Sequence, residues 1–347
     1  MSSRSAAAAA LGIAVLACAC GWLGRPTSAP RPATSPTGQV AAAPPVARAI
    51  PGCPAGKPVV DATSLKLALT TATPGTAISL ASGTYRGHFE ANVSGTESAP
   101  ISLCGASDAI IDGGALKAGY AFHLDRASWW KLLGFSIKGA QKGLVVDHGT
   151  HILVSGLHIS GVGDEALHLR AFSSDNVVER VTISGTGLLR SKFGEGIYIG
   201  TAVSNWCQYS GCAPDASDRN LIRDNNISET TAENIDIKEG TSGGQVIGNH
   251  LSGLGMVTSA ATAWINAKGN GWTISGNAGH TSPKDGFQVH QVAAGWGREN
   301  VFRANQASVE GPGYGFYVQF SSLGTVLGCD NQVAGAGAGF SNARCTP

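Results

Sequence analysis

Apolar and polar residues alternate in short bursts along most of the chain, rather than at the three- and four-residue spacing of an amphipathic helix. From residue 120 to residue 340 the bursts recur after 22 to 30 residues: "AFHLD" (121–125), "GLVVD" (143–147), "ALHLR" (166–170), "GIYIG" (196–200), "NIDIK" (234–238), "WINAK" (264–268), "GFQVH" (286–290) and "GFYVQ" (315–319). In each, two inward candidates flank one outward residue, the period-two mark of a strand with one buried face. The longest insertion between them is 201–218. A second strand is predicted in each repeat, as in "NVVERVTIS", "NLIRDNNIS" and "GQVIGNHLS". One column of these second segments holds Asn225, Asn249, Asn277, Asn305 and Asn331. Amides at that spacing can hydrogen-bond from repeat to repeat, and the column reads as structural.

Gly-rich turns, few helix signals and this period predict an all-β fold, a single-stranded right-handed parallel β-helix, or solenoid. A propeller blade needs about 40 residues or more, and the leucine-rich consensus is missing. The segment 61–87 predicts an amphipathic helix from Ser64 to about Thr71, then a strand. That N-terminal capping helix would cover the open first coil, whose unpaired edge invites association. The C-terminal "SNARCTP" is expected to close the other end.

Aligned on their inward residues, the strands sort their outward residues into columns about 4.8 Å apart. The column just before each strand reads Lys142, Glu165, Glu195, Glu233, Ala263, Asp285. The middle column reads His123, Val145, His168, Tyr198, Asp236, Asn266, Gln288, Tyr317, and the third Asp125, Asp147, Arg170, Gly200, Lys238, Lys268, His290, Gln319. Chemistry-bearing groups thus cover one face from Glu165 to His290, a groove of about 20 Å at that strand spacing. A solvated sheet face is the plain alternative. Carboxylates stacked on carboxylates repel and need an offset, either a calcium ion, which takes carboxylate oxygens, or Lys238 and Arg170.

With a net charge of +1 and only 14% charged residues, the chain lacks the basic field of a nucleic-acid binder. Arg4 followed by an apolar, small-residue stretch reads as a signal peptide over 1–19. The surroundings of Cys18 and Cys20 resemble a bacterial lipobox, which makes Cys20 a candidate lipid anchor and the protein secreted or a cell-surface lipoprotein. Residues 20–52 form a Pro/Ala/Ser/Thr-rich tether, and 53–347 a β-helix domain. Cutting before Cys20 leaves six other cysteines, expected as the pairs Cys53–Cys104, Cys207–Cys212 and Cys329–Cys345, with free buried thiols as the alternative. A monomer is expected.

"GTYRG", "SGTESAPISLCG" and "IIDGG" resemble the entry region of secreted polysaccharide-degrading members of the pectin-lyase-like β-helix superfamily. "AENIDIK" further resembles the catalytic coil of β-helix polysaccharide lyases of the alginate-lyase and chondroitin-lyase type, where a glutamate precedes a lysine by five residues and the next coil supplies a second cation. The resemblance implies that Glu233 helps to hold calcium, Lys238 removes the proton beside the uronate carboxyl group, and Lys268 assists departure of the glycosidic oxygen. Two departures stand out: Lys268 occupies the place of an arginine, and Thr231 that of a second glutamate. Glu195 or Asp285 is the candidate for the missing metal ligand.

His290 and Tyr198 form an alternative base and acid, for a lyase without lysine catalysis or for a uronate C5-epimerase. His168 and Arg170 are candidates for binding a substrate carboxylate, with Asn266, Gln288 and Asp236 beside them as substrate-binding groups. Trp206, Trp264, Trp272 and Trp296 could stack on sugar rings, Trp264 and Trp272 equally filling turns. A glycoside hydrolase would need two carboxylates about 5–9.5 Å apart, for which Asp236 with Glu195 or Asp285 would serve, yet the polygalacturonase signature is absent. The expected function is therefore a lyase that cleaves an acidic polysaccharide by β-elimination. A non-catalytic carbohydrate-binding or adhesin-like surface protein is the alternative.

Overall fold

The structure, a computed structural model, describes residues 50–347. The expected leader, Cys20 and all but the last three residues of the expected tether lie outside the described residues. The chain winds as a right-handed parallel β-solenoid whose strands fall into three parallel sheets, one of eleven strands and two of ten. Each coil contributes one strand to each sheet, so the apolar segment expected as one second strand is two. Val177–Glu179 and Thr182–Ser184 lie on different sheets. The chain bends between them at Arg180, whose φ is 53°. Asp224, Gly248, Gly276 and Ala304 repeat that left-handed bend on later coils. Periodicity hid the corner because a single left-handed residue turns the backbone without interrupting the apolar alternation.

The core is the column of inward aliphatic residues, such as Ile197, Ile199, Ile235, Ile237 and Ile265, all fully buried. Toward the C-terminus it becomes aromatic. Phe287 and Phe316 stack at 5.0 Å, with Trp264 and Phe302 edge-on to Phe287. Trp264 and Trp272 are wholly buried, so neither reaches a sugar. Each fits because a glycine faces it: a Cβ on Gly279 would meet the Trp264 ring at 2.3 Å, and one on Gly244 the Trp272 ring at 2.3 Å.

The first coil is capped by a helix over Ala62–Thr70 that buries Leu65 and Leu69. It starts before Ser64 because Asp61 accepts the Ser64 N–H at 2.7 Å and donates its own N–H to Ser64 Oγ at 3.1 Å, a reciprocal cap. At the far end Thr346 bonds to Leu327 and Cys329, and Gly328 pairs with Thr346. All three expected disulfides are present, Cys53–Cys104, Cys207–Cys212 and Cys329–Cys345. Among the described residues no helix is long and apolar enough to cross a membrane.

The asparagine column forms a continuous buried ladder. Asn277 Oδ1 accepts both the backbone N–H and the side-chain amide of Asn249 at 2.9 Å, while Asn277 Nδ2 donates to the Val246 carbonyl at 2.9 Å. A shorter run, in which Asn176 and Asn220 bond the preceding coil in the same way, marks a second corner. Asn277→Ala would orphan two donors and one acceptor inside the solenoid. At about 1–3 kcal/mol per orphaned group, a loss of about 3 kcal/mol or more is expected, read as a lower urea midpoint. An unchanged midpoint would show the ladder to be dispensable.

Candidate active site

The sheet that carries the candidate residues runs through the strands Tyr120–Asp125, Lys142–Asp147, Leu167–Arg170, Ile197–Ile199, Ile235–Ile237, Ile265–Ala267, Phe287–Val289 and Tyr314–Val318. Its register pairs His123, Val145, His168, Tyr198, Asp236, Asn266, Gln288 and Tyr317 in one unbroken row, the middle column of the sequence. A parallel ladder keeps equivalent residues directly above one another, so residues tens of positions apart become neighbours. This face is far drier than a solvated one. His168, Arg170, Glu195, Glu233, Asp236, Asn266, Lys268 and Gln288 are all buried.

Asp236 is the hub. Lys238 Nζ lies 2.6 Å from Asp236 Oδ2, and Lys268 Nζ donates to both Asp236 oxygens at 2.6 and 2.8 Å. Burial pushes the Asp236 carboxyl upward, but the two ammonium groups outweigh it and hold the pKa below the ordinary value. For Lys238, burial favours the neutral amine, yet Asp236 outweighs it and raises the pKa well above the usual 10.5. Lys238 is therefore an ammonium ion in this arrangement, not the free amine that the base role requires. Its Nζ lies 4.8 Å from the centre of the Tyr198 ring on the preceding coil. Burial drives the Tyr198 phenol well above 10, with Lys238 pulling it back and Asp236 adding to the rise.

The remaining candidates divide by their partners. Glu233 Oε1 accepts from Asn266 Nδ2 at 3.1 Å, which turns Asn266 Oδ1 toward His290 Nδ1 at 2.9 Å. His290 thus carries its proton on Nδ1 and its lone pair on Nε2. Burial and then Lys268 lower its pKa and keep it neutral. Three strand steps separate the strands that carry Tyr198 and His290, about 14 Å, so the two do not act on one sugar bond as base and acid. His168 donates from Nε2 to the Gly200 carbonyl at 2.9 Å and lies edge-on to Tyr198 at 4.3 Å. It supports that ring from below, neutral because burial, then Lys142 and Arg170, push its pKa far down.

Arg170 does not offer its fork to a ligand, since Asp147 occupies it through bonds of 2.6 and 3.0 Å. Burial pushes Asp147 upward, but hydrogen bonds from His123 and Arg170 outweigh it and bring the pKa down to about 2. Gln288 is likewise engaged, donating to Asp285 Oδ2 at 2.7 Å and to Thr262 Oγ1 at 2.9 Å.

Of the expected metal ligands, Glu195 and Glu233 come together with Asp236, one oxygen of each lying within 4.8 Å of the others. Asp285 is not part of that trio, and its second oxygen accepts the Tyr314 N–H at 2.7 Å. Calcium takes six to eight oxygen ligands, whereas both Asp236 oxygens and Glu233 Oε1 already accept hydrogen bonds from the protein. The pKa of Glu195 is pushed well up by burial and then by Glu165, and that of Glu233 up by burial and Asp236. Two ammonium groups offset part of the carboxylate stack, Glu195 Oε2 stays buried without a partner, and a cation here would displace bonds that Asp236 and Glu233 already make. Chelation with EDTA should accordingly leave the thermal midpoint unchanged. A drop that added calcium reverses would show that the acids hold the ion.

This fold is that of the pectin-lyase-like parallel β-helix proteins. Over 82% of this chain and 98% of the other, the structure matches that of an alginate lyase from Paenibacillus sp. str. FPU-7, with a TM-score of 0.76 and 34% sequence identity. At that identity and coverage, the chain belongs to the same family of β-helix polysaccharide lyases. Pectate lyase Pel9A matches at TM-score 0.57 and 15% identity over 84% of this chain and 80% of its own. PfbA, a surface adhesin of Streptococcus pneumoniae, matches at 0.56 and 12% over 78% and 73%. These two likenesses show the fold alone. No family model and no curated protein sequence matches the chain.

Proposed function

We propose that the protein is an extracytoplasmic lyase that cleaves a uronate-containing polysaccharide by β-elimination, alginate being the first substrate to try because the 34% identical relative is an alginate lyase. The observation that carries the reading is the sharing of one ionised carboxylate, Asp236, by two ammonium groups on adjacent coils beside a buried phenol. Lys268 Nζ also lies 3.9 Å from Glu233 Oε1, and 13% of the Lys238 side chain and 10% of the Lys268 side chain remain exposed. A uronate carboxylate would bind at those exposed ammonium groups. Placed there, it is polarised by the lysines, and the adjacent ring proton becomes acidic because the enolate formed on its loss is stabilised.

Tyr198 moves the proton. Its phenolate, a minor species because burial raises the pKa and Lys238 offsets this only in part, takes the proton from the carbon beside the carboxyl group. The resulting phenol returns it to the departing glycosidic oxygen as the carbon–oxygen bond breaks. Lys238 and Lys268 act in this scheme as fixed charge, and His290 lies along the groove as an acceptor for a sugar hydroxyl. The lipid anchor at Cys20 and secretion fit this reading, since the polymer lies outside the cell.

Purified protein mixed with alginate, pectate and glycosaminoglycans should give the ultraviolet absorbance of an unsaturated uronate with at least one of them. Silence across the panel would favour the non-catalytic, adhesin-like alternative. Tyr198→Phe should lower kcat by about 10²–10⁴, the usual worth of a positioned acid or base. Lys238→Arg should retain much more activity than Lys238→Ala if the residue supplies charge, and equal losses would restore it as the base. Because the phenol pKa is raised, the reactive phenolate fraction grows with pH. Thus kcat/KM should climb by about tenfold per unit on the alkaline side of neutrality, and a flat profile there would exclude Tyr198 as the base.

A further inference from the structure

The row of outward residues continues past Tyr198 toward the N-terminus, but its surroundings change. Val145 stands in register between His123 and His168, pointing away from the core, and is nevertheless fully buried. An apolar outward residue with no exposed surface is covered from above, unlike the bed of a polar groove.

The cover is built around Arg170. Its guanidinium leans back across the Lys142–Asp147 strand, gripping both oxygens of Asp147 and reaching the Tyr120 hydroxyl, two coils away, at 2.8 Å. The guanidinium carbon lies 5.3 Å from the centre of the Tyr120 ring and 4.2 Å from that of Tyr209. Tyr209 comes from the longest insertion, 201–218, which is pinned on both sides. Asp215 accepts the N–H groups of Ala171 and Phe172 at 2.9 and 2.8 Å, and the Val203 N–H donates to Glu239 at 2.7 Å. The Cys207–Cys212 disulfide closes a small ring around Tyr209. A buried bidentate pair flanked by two aromatic rings is rigid, since each group fixes the orientation of the next.

We propose that Arg170, Tyr120 and Tyr209 form an end wall of the sugar-binding groove, over the Lys142–Asp147 strand two strand steps before Tyr198, with Tyr209 as the residue that sets how much chain fits on that side. Two strand steps, about 10 Å, leave room for about two sugars between the wall and the Tyr198 hydroxyl. The remaining sugars bind in the other direction, past Lys238, Lys268 and His290 toward Tyr317. Each cut therefore releases a short piece of uniform length from the walled side. This rests on the lyase reading of the same groove.

Two measurements on Tyr209→Ala and Tyr209→Phe test it. The first is the size of early products from a long uronate polymer: short and uniform for the wild type and Tyr209→Phe, shifted to longer and mixed sizes for Tyr209→Ala. The second is affinity against chain length for defined oligouronates, measured in a Tyr198→Phe background, which slows turnover and keeps both lysines. There the length at which affinity stops rising should increase only with Tyr209→Ala, while the thermal midpoint stays unchanged. Wild-type product sizes and length dependence in Tyr209→Ala would overturn the wall. If the wild type gives no unsaturated product but the oligomers bind, the lyase reading fails and the length dependence still decides the wall. If nothing binds, both readings fall.

Discussion

The hydrogen-bonded register between successive coils is the constraint on which everything else rests. In a parallel ladder each residue lies one strand spacing from its counterpart on the next turn, so the solenoid multiplies whatever a column contains. An aliphatic column becomes the core and an amide column becomes a ladder in which every Oδ1 and Nδ2 finds a partner. The same rule brings Glu165, Glu195 and Glu233 into consecutive rungs, where like charges oppose one another. The electrostatics of the candidate site are a direct consequence of a backbone that cannot move those residues apart.

The fold meets this repulsion with cations from the neighbouring columns and with protons. Lys142 reaches Glu165 at 2.8 Å, and Lys238 and Lys268 converge on Asp236. Glu195 and Glu233 are shifted toward their neutral acids. Such an arrangement is costly to bury unless most of its charges are paired. What results is a pair of ammonium groups gathered on one buried carboxylate beside a buried phenol.

The same backbone rule explains why the face is not uniform. On the coil where the outward column holds Val145, the Arg170 guanidinium grips Asp147 and lies against the rings of Tyr120 and Tyr209. Where that column holds Asp236 and Asn266, the side chains form a buried polar row. A change of a single outward residue on one coil therefore changes what the face can accept, without disturbing the core beneath it.

Much of this was legible in the chain itself. Alternation and period determined the solenoid, the inward residues and the register of the outward row, because a strand has only two faces and a coil must return to the same place. The asparagine column followed from the same repeat, and the three cysteine pairs from the even cysteine count and their positions along the chain. The corners at Arg180 and its counterparts were hidden, since one left-handed residue leaves no mark on hydrophobic alternation. Only the tertiary structure decided how the outward side chains pair: that Asp236 takes both lysines and keeps Lys238 protonated, that Asp147 takes Arg170, and that Asp285 belongs to Gln288 and Tyr314. Those choices turn on distances of a few ångströms between long, flexible side chains on different coils. Tyr209 was invisible for the same reason, lying in an insertion with no period to place it. A sequence lays down which groups share a face, and the energies of burial and charge settle which of them meet.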